Sequence, residues 1–334
     1  MWRTLFSAVL VAALCACQKS PSASDTVQGL AQPPEKVTIA YTVQPQSTLI
    51  HVAVAKGYFA AEGLEVQPLI HTFGKAALQS VLDDKADFAT VAETPIMFNV
   101  LKGEKLFVLA NIEASGMNNA TVARKDAGIA AAADLPGKRV GFTPGTTSDF
   151  FLDSILTANG LTRQAIQPVA LKPEEMQAAI LDKRVDAVST WNYPLTEIKR
   201  QLGANGLVIF DRDIYTETFN LAAKQDFVQR RPETVKRLLR AVVKAESFVA
   251  QHPEEAQGIL ASATKTDNEL VREVWSAFNY RVVLNQSLII TLEDETRWAM
   301  KHKLTEQMVM PDYRNFIHAD SLRAVKPDAV KFSR

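Results

Sequence analysis

The pentapeptide Pro144-Gly145-Thr146-Thr147-Ser148 stands between a β-branched strand, Arg139 to Phe142, and an apolar helix beginning near Phe150. A helix N-terminus exposes unpaired N–H groups and carries about half a positive charge, so this turn can hold an anionic group at Thr146 and Thr147. A local role suits the same residues, with Thr147 or Ser148 capping the helix. Trp191 ends another strand, followed by Asn192 and Tyr193; its indole can stack on a ligand, or pack under the neighbouring helix. Glu93-Thr94-Pro95 occupies the matching place earlier in the chain. Thr94 offers a hydrogen bond there. Glu93 would need a cationic or hydroxyl partner if buried, or a solvated edge if not. Two further loops carry neutral polar groups: Val43 to Ser47 brings Gln44 and Ser47, and His71 to Lys75 brings Thr72 and Gly74. An imidazole contact from His71 competes with a surface or capping role, and Lys75 opens a helix where it would be solvated.

Reactive chemistry has no comparable foothold. The other histidines, His51, His252, His302 and His318, lack the spacing of metal ligands. No nucleophile elbow, phosphate-cradling glycine loop or paired acid/base carboxylate motif is present. Binding is therefore the first expectation and catalysis the second, with no metal or cofactor expected.

The elements that must position these loops alternate along the chain. From Val37 to about Phe210, short β-branched runs alternate with helical stretches, the pattern of βαβ units around a mainly parallel sheet. Val37–Tyr41, Leu64–Val66 and Asp87–Val91 read as strands, with helices over Leu49–Phe59 and Lys75–Leu82 between them. The order then recurs. VLDDKADFATVAETP, from Val81 to Pro95, aligns without a gap on ILDKRVDAVSTWNYP, from Ile180 to Pro194, so Asp87 meets Asp186 and Pro95 meets Pro194. This implies two similar lobes. In open α/β sheets ligands sit beyond the carboxyl ends of the strands, so two facing lobes share one cleft. Strand-like pairs at Lys105–Ala110 with Ala120–Ala123, and Leu207–Phe210 with Thr218–Ala223, suggest two crossings between lobes, near 110–122 and 211–222. Paired crossings behave as a hinge. Helices after Phe227, two of them opened by Pro232 and Pro253 in their first turns, are expected to pack behind the first lobe.

The expected division is a signal segment over 1–16, a tether over 17–35, a first lobe from 36–115 and 220–334, and a second lobe from 116–219. The 334 residues suit two ordinary domains. Thirty-seven basic residues balance 37 acidic ones, so no long-range field draws in nucleic acid. At the N-terminus a single cation, Arg3, precedes an apolar run from Leu5 to Leu14, too short to span a bilayer and suited to a signal peptide. The run ends in Leu14-Cys15-Ala16-Cys17, which resembles the bacterial lipobox and implies lipid attachment at Cys17. Residues 18 to about 35 are polar and rich in Ser, Gln and Pro, a composition that makes a flexible tether.

The ordered stretches HVAVAKGYFAAEGLEVQPL, VLDDKADFATVAETP, DLPGKRVGFTPGTTSDFFLDSIL, KPEEMQAAILDKRVDAVSTW and RPETVKRLLRAVVKAESFVAQHPEEAQGIL resemble the nitrate, sulfonate and taurine type of ABC-transporter solute-binding protein, over roughly residues 36 to 320. The resemblance implies a type II periplasmic-binding-protein fold: two lobes, each a mainly parallel sheet flanked by helices, joined by two hinge crossings. It implies one small molecule bound in the cleft and delivered to a permease and its ATPase. The helix N-terminus favours a polar solute that is anionic or zwitterionic, while Glu93 and the aromatics permit an amine or a flat heteroaromatic. The protein is expected to be a monomer tethered outside the cytoplasm by lipid. The fold family also includes sensor domains and thiamine-pyrimidine synthases, which stand as alternatives; the synthase branch carries a cysteine-rich segment that this chain lacks.

Overall fold

The computed structural model describes residues 33–332. The expected signal segment, Cys17 and the tether up to residue 32 lie outside the described residues. Ten strands form two five-stranded sheets. They are β1 (Glu35–Thr42), β2 (Leu64–His71), β3 (Phe88–Ala92), β4 (Leu106–Ser115), β5 (Asn119–Arg124), β6 (Arg139–Phe142), β7 (Gln167–Ala170), β8 (Ala187–Trp191), β9 (Gly206–Ile209) and β10 (Glu217–Lys224). The first sheet runs β2-β1-β3-β10-β4 and the second β7-β6-β8-β5-β9. In each, three parallel strands are followed by two antiparallel to their neighbours.

The duplication read from the sequence is physical. β3 and β8 start at 88 and 187 and end at 92 and 191, the same offset of 99 residues. Asp87 and Asp186 stand just before them and do the same work: Asp87 Oδ2 accepts the Thr38 N–H of β1 at 2.8 Å, and Asp186 Oδ2 accepts the Arg139 N–H of β6 at 2.9 Å. Each carboxylate fastens the first parallel strand of its sheet to the third. Asp186 also accepts from the Arg139 and Arg124 guanidiniums; the hydrogen bonds from Arg139 come first among the causes that pull its carboxyl down to about 2. The turns before these aspartates repeat too, with Asp84 and Lys183 both left-handed at φ 59° and 60°.

The helices are α1 (Thr48–Ala55), α2 (Tyr58–Ala61), α3 (Gly74–Leu82), α4 (Glu93–Leu101), α5 (Thr147–Ala158), α6 (Met176–Leu181), α7 (Pro194–Leu202), α8 (Gln225–Arg230), α9 (Pro232–Gln251), α10 (Pro253–Thr264), α11 (Asn268–Trp275), α12 (Gln286–Lys301) and α13 (Ala319–Val325). The single helix expected over Leu49–Phe59 is two, because Gly57 adopts a left-handed φ of 67° that ends α1. The largest core joins the first sheet to α1, α9 and α12 through Ile39, Leu49, Val91, Leu238 and Leu292. The second sheet has apolar clusters on both faces. The chain passes between sheets twice, at residues 116–118 and 210–216, and on each passage it enters the new sheet as the fourth strand.

Among the described residues, no helix is long and apolar enough to cross a membrane.

Candidate functional site

Parallel strands of one sheet aim their carboxyl ends in one direction, and the loops that follow them meet at that edge. A cavity forms there between the two sheets. From the first sheet, Gln44 and Gln46 follow β1, Phe73, Gly74 and Lys75 follow β2, and Ala92 and Pro95 close β3. Antiparallel β10 begins at the same edge and adds Glu217 and Phe219. From the second sheet come Thr146 and Thr147 after β6, and Trp191 at the end of β8. The cavity measures about 30 Å³, room for a water or two. Small-molecule sites are commonly about 300–1,000 Å³, so a solute enters only if the walls part.

Several bonds hold the walls together. The Tyr193 N–H donates to Gln44 Oε1 at 3.2 Å, and Lys75 Nζ to the Pro144 carbonyl at 2.8 Å. Trp298 of α12 donates from Nε1 to Asp153 of α5 at 2.8 Å. Arg163 fixes α5 from the other side, bonding Asp149 at 2.8 Å and Asp153 at 2.7 Å while its guanidinium lies 4.5 Å from the Phe142 ring centroid.

Glu217 is the electrostatic centre. Asn118 Nδ2 donates to both its oxygens at 2.9 Å, Asn119 Nδ2 to Oε2 at 2.6 Å, and Gln46 Nε2 to Oε1 at 3.3 Å. Thr147, in the first turn of α5, lines the same cavity, so an acidic side chain of the protein stands close to that helix N-terminus.

Three more carboxyls lie buried within electrostatic reach. Glu93 accepts from the Tyr215 hydroxyl, from the Thr218 N–H at 2.9 Å and from its hydroxyl at 3.0 Å. Glu295 of α12 accepts from the Thr94 hydroxyl. Glu113 of β4 has no partner for either oxygen among the described residues. Burial is the first cause pushing all four up, and like charge adds to it at Glu93, Glu113 and Glu295. Glu93 reaches about 8.

Of the residues singled out in the sequence, Gln44, Gly74, Thr146, Thr147 and Trp191 line the cavity. The others stand elsewhere. Ser47 is buried against the Thr42 and Thr90 hydroxyls, both at 2.9 Å. Thr94 faces Glu295. Asn192 accepts from the Thr196 hydroxyl at 2.7 Å, steadying the first turn of α7. Thr72 is exposed, with its carbonyl taking a bond from Gln44 Nε2 at 3.1 Å. His71 pairs with Ser80 at 3.0 Å. Glu93, expected either at a solvated edge or paired, is fully buried and paired.

Sequence reasoning did not single out Gln46, Glu217, Phe219 or Phe73, and it placed Lys75 in solvent. Gln46 lies in a loop it had named; Glu217 and Phe219 carry no local signal, since their strand runs opposite to the others. Among the described residues, no group of three His, Cys, Asp or Glu is placed to hold a metal ion.

Known proteins share this architecture. The periplasmic aliphatic sulphonate binding protein SsuA of Escherichia coli superposes with a TM-score of 0.74 at 18% identity, over 85% of this chain and 92% of that one. The periplasmic nitrate-binding protein NrtA of Synechocystis PCC 6803 gives 0.73 at 15% identity, over 88% of each chain. In sequence, a Brucella abortus protein provisionally named a binding protein is 26% identical over 225 residues, 66% of this chain and 69% of its own. The fold is that of the periplasmic binding proteins. With the model of one family matching residues 44–256, the chain belongs to the NMT1/THI5-like family.

Proposed function

We propose that this chain is the extracytoplasmic solute-binding component of an ABC importer, held to a membrane by lipid on Cys17. The observation that carries the reading is the cavity walled from both sheets at their strand ends, with Gln44, Gly74 and Glu217 on one side and Thr146, Thr147 and Trp191 on the other. A solute touching both walls favours the closed state over the open one, and the two crossings at 116–118 and 210–216 are short enough to act as a hinge. The closed form then docks on a permease. The names of the relatives, binding proteins for sulphonate and nitrate, support the same reading.

Titration calorimetry against small sulfonates, carboxylates, amines and pyrimidines, paired with small-angle scattering, tests it. A bound solute should shrink the radius of gyration; a panel without binding, or binding without compaction, would count against the reading. The anchor is tested separately: Cys17→Ala in the full chain should move the protein from the membrane fraction to the soluble extracytoplasmic fraction.

A further inference from the structure

The charge of the solute can be argued from the cavity walls. Lys75 is the one cationic side chain on them among the described residues, and its ammonium is engaged by the Pro144 carbonyl at 2.8 Å. The Glu217 carboxyl and the first turn of α5, at Thr146 and Thr147, line the same small cavity. Lys75 already spends one of its three N–H donors on the protein.

An acceptor of the wall, by contrast, is left without a donor. Gln46 lines the cavity and is only 3% exposed, and its Oε1 has no partner among the described residues. Asn119 Oδ1, in the side chain whose Nδ2 bonds Glu217, has none either. Buried oxygens of this kind cost stability until a donor reaches them. Three aromatic rings, Phe73, Trp191 and Phe219, complete the wall, and the faces of such rings attract cations.

We propose that the solute is a small organic cation bearing N–H donors, a protonated amine or amidine, with an N–H group on Gln46 Oε1, its positive charge beside the Glu217 carboxylate and its apolar face against Trp191 and Phe219. This rests on the binding-protein reading. It departs from the anionic solute expected from the α5 N-terminus alone, because the Glu217 carboxyl lines the same small cavity.

Shape-matched probes separate the possibilities. Benzamidine and benzylamine are titrated into the full chain beside benzoate and benzenesulfonate. The cations should bind at least about tenfold tighter than the anions, as expected when a charge-assisted bond replaces a repulsion. Glu217→Gln should weaken the cations by about tenfold or more, with circular dichroism unchanged. If that variant fails to fold, Gln46→Leu serves, since it removes the unpartnered acceptor and should weaken the same probes. Tighter binding of the anions overturns the inference and leaves the binding-protein reading standing. Binding of neither series also overturns it; native mass spectrometry of the purified protein then judges the binding-protein reading independently, by whether a small molecule co-purifies. Cation binding indifferent to both substitutions overturns the assigned site.

Discussion

Replacing Gly74 with alanine would place a methyl group 2.9 Å from the Val91 Cα and 3.2–3.3 Å from the edge of the Phe219 ring. Real side chains do not approach a backbone carbon so closely, and Val91 sits in the middle of β3, with β10 paired against it. The start of α3 must therefore move outward. Overpacking of this kind costs about 1–3 kcal/mol. With about 300 described residues, an unfolding entropy of about 2.1 cal/mol/K per residue gives about 0.6 kcal/mol per degree, so the midpoint should fall by about 2–5 °C. The movement would also carry Lys75 away from the Pro144 carbonyl and loosen one of the bonds between the lobes. Gly258, inside α10 with open space where a methyl would go, provides the control; Gly258→Ala should raise stability by roughly 0.5–1 kcal/mol. Differential scanning calorimetry of both variants decides the matter. A Gly74→Ala protein melting at or above the parent temperature would refute the close-packing argument.

Arg163→Ala leaves the buried Asp149 and Asp153 carboxylates without their cation and should cost about 3–5 kcal/mol in urea unfolding; a loss under 1 kcal/mol would mean the aspartates take up protons or water at little cost. Asp186→Asn should cost about 1–2 kcal/mol at pH 7, the shift from 3.8 to about 2 discounted for solvent screening. Because that carboxyl is held down, its contribution is complete above about pH 4 and fades as pH falls towards 2, so parent and variant should converge there in an acid titration of stability. Glu113 is shifted the opposite way by burial and by the charges of Glu217 and Glu93, with Tyr280 its further titratable neighbour. A raised carboxyl stabilises most below about pH 4.5 and less as pH rises, so Glu113→Gln should raise the unfolding free energy, more at pH 9 than at pH 6, by up to about 3 kcal/mol; an equal gain at both would place the cause outside ionisation.

Much of the fold was legible because it is written twice. The repeat Val81–Pro95 and Ile180–Pro194 located β3 and β8, and its matching Asp87 and Asp186 serve the duplicated strand joint. At the site, loop positions could be read but side-chain directions could not. The short 3₁₀ turn Pro45–Ser47 sends Ser47 inward to Thr42 and Thr90 and leaves its neighbour Gln46 on the cavity wall. One residue of rotation exchanges the two roles. In α4 the same holds for Thr94, directed at Glu295, and Pro95, on the wall.

Glu217 was hidden for a deeper reason, and it alters what the helix N-terminus means. A motif such as Pro144–Ser148 reports that a positive helix end faces a cleft; it cannot report what else arrives there. Here β10 enters the first sheet antiparallel after the second crossing, so its first residue lands at the carboxyl ends of strands that precede it by more than a hundred positions. Glu217 thereby meets Thr147 of α5, Asn118 and Asn119 of the first crossing and β5, and Gln46 after β1. One carboxylate stands in the same cavity as the helix end, ties the first crossing and β5 to the loop after β1, and leaves the Gln46 carbonyl oxygen unpaired. The polarity of the cleft is thus set by a strand insertion that joins the lobes, and a solute able to close them has to match that polarity rather than the helix end alone.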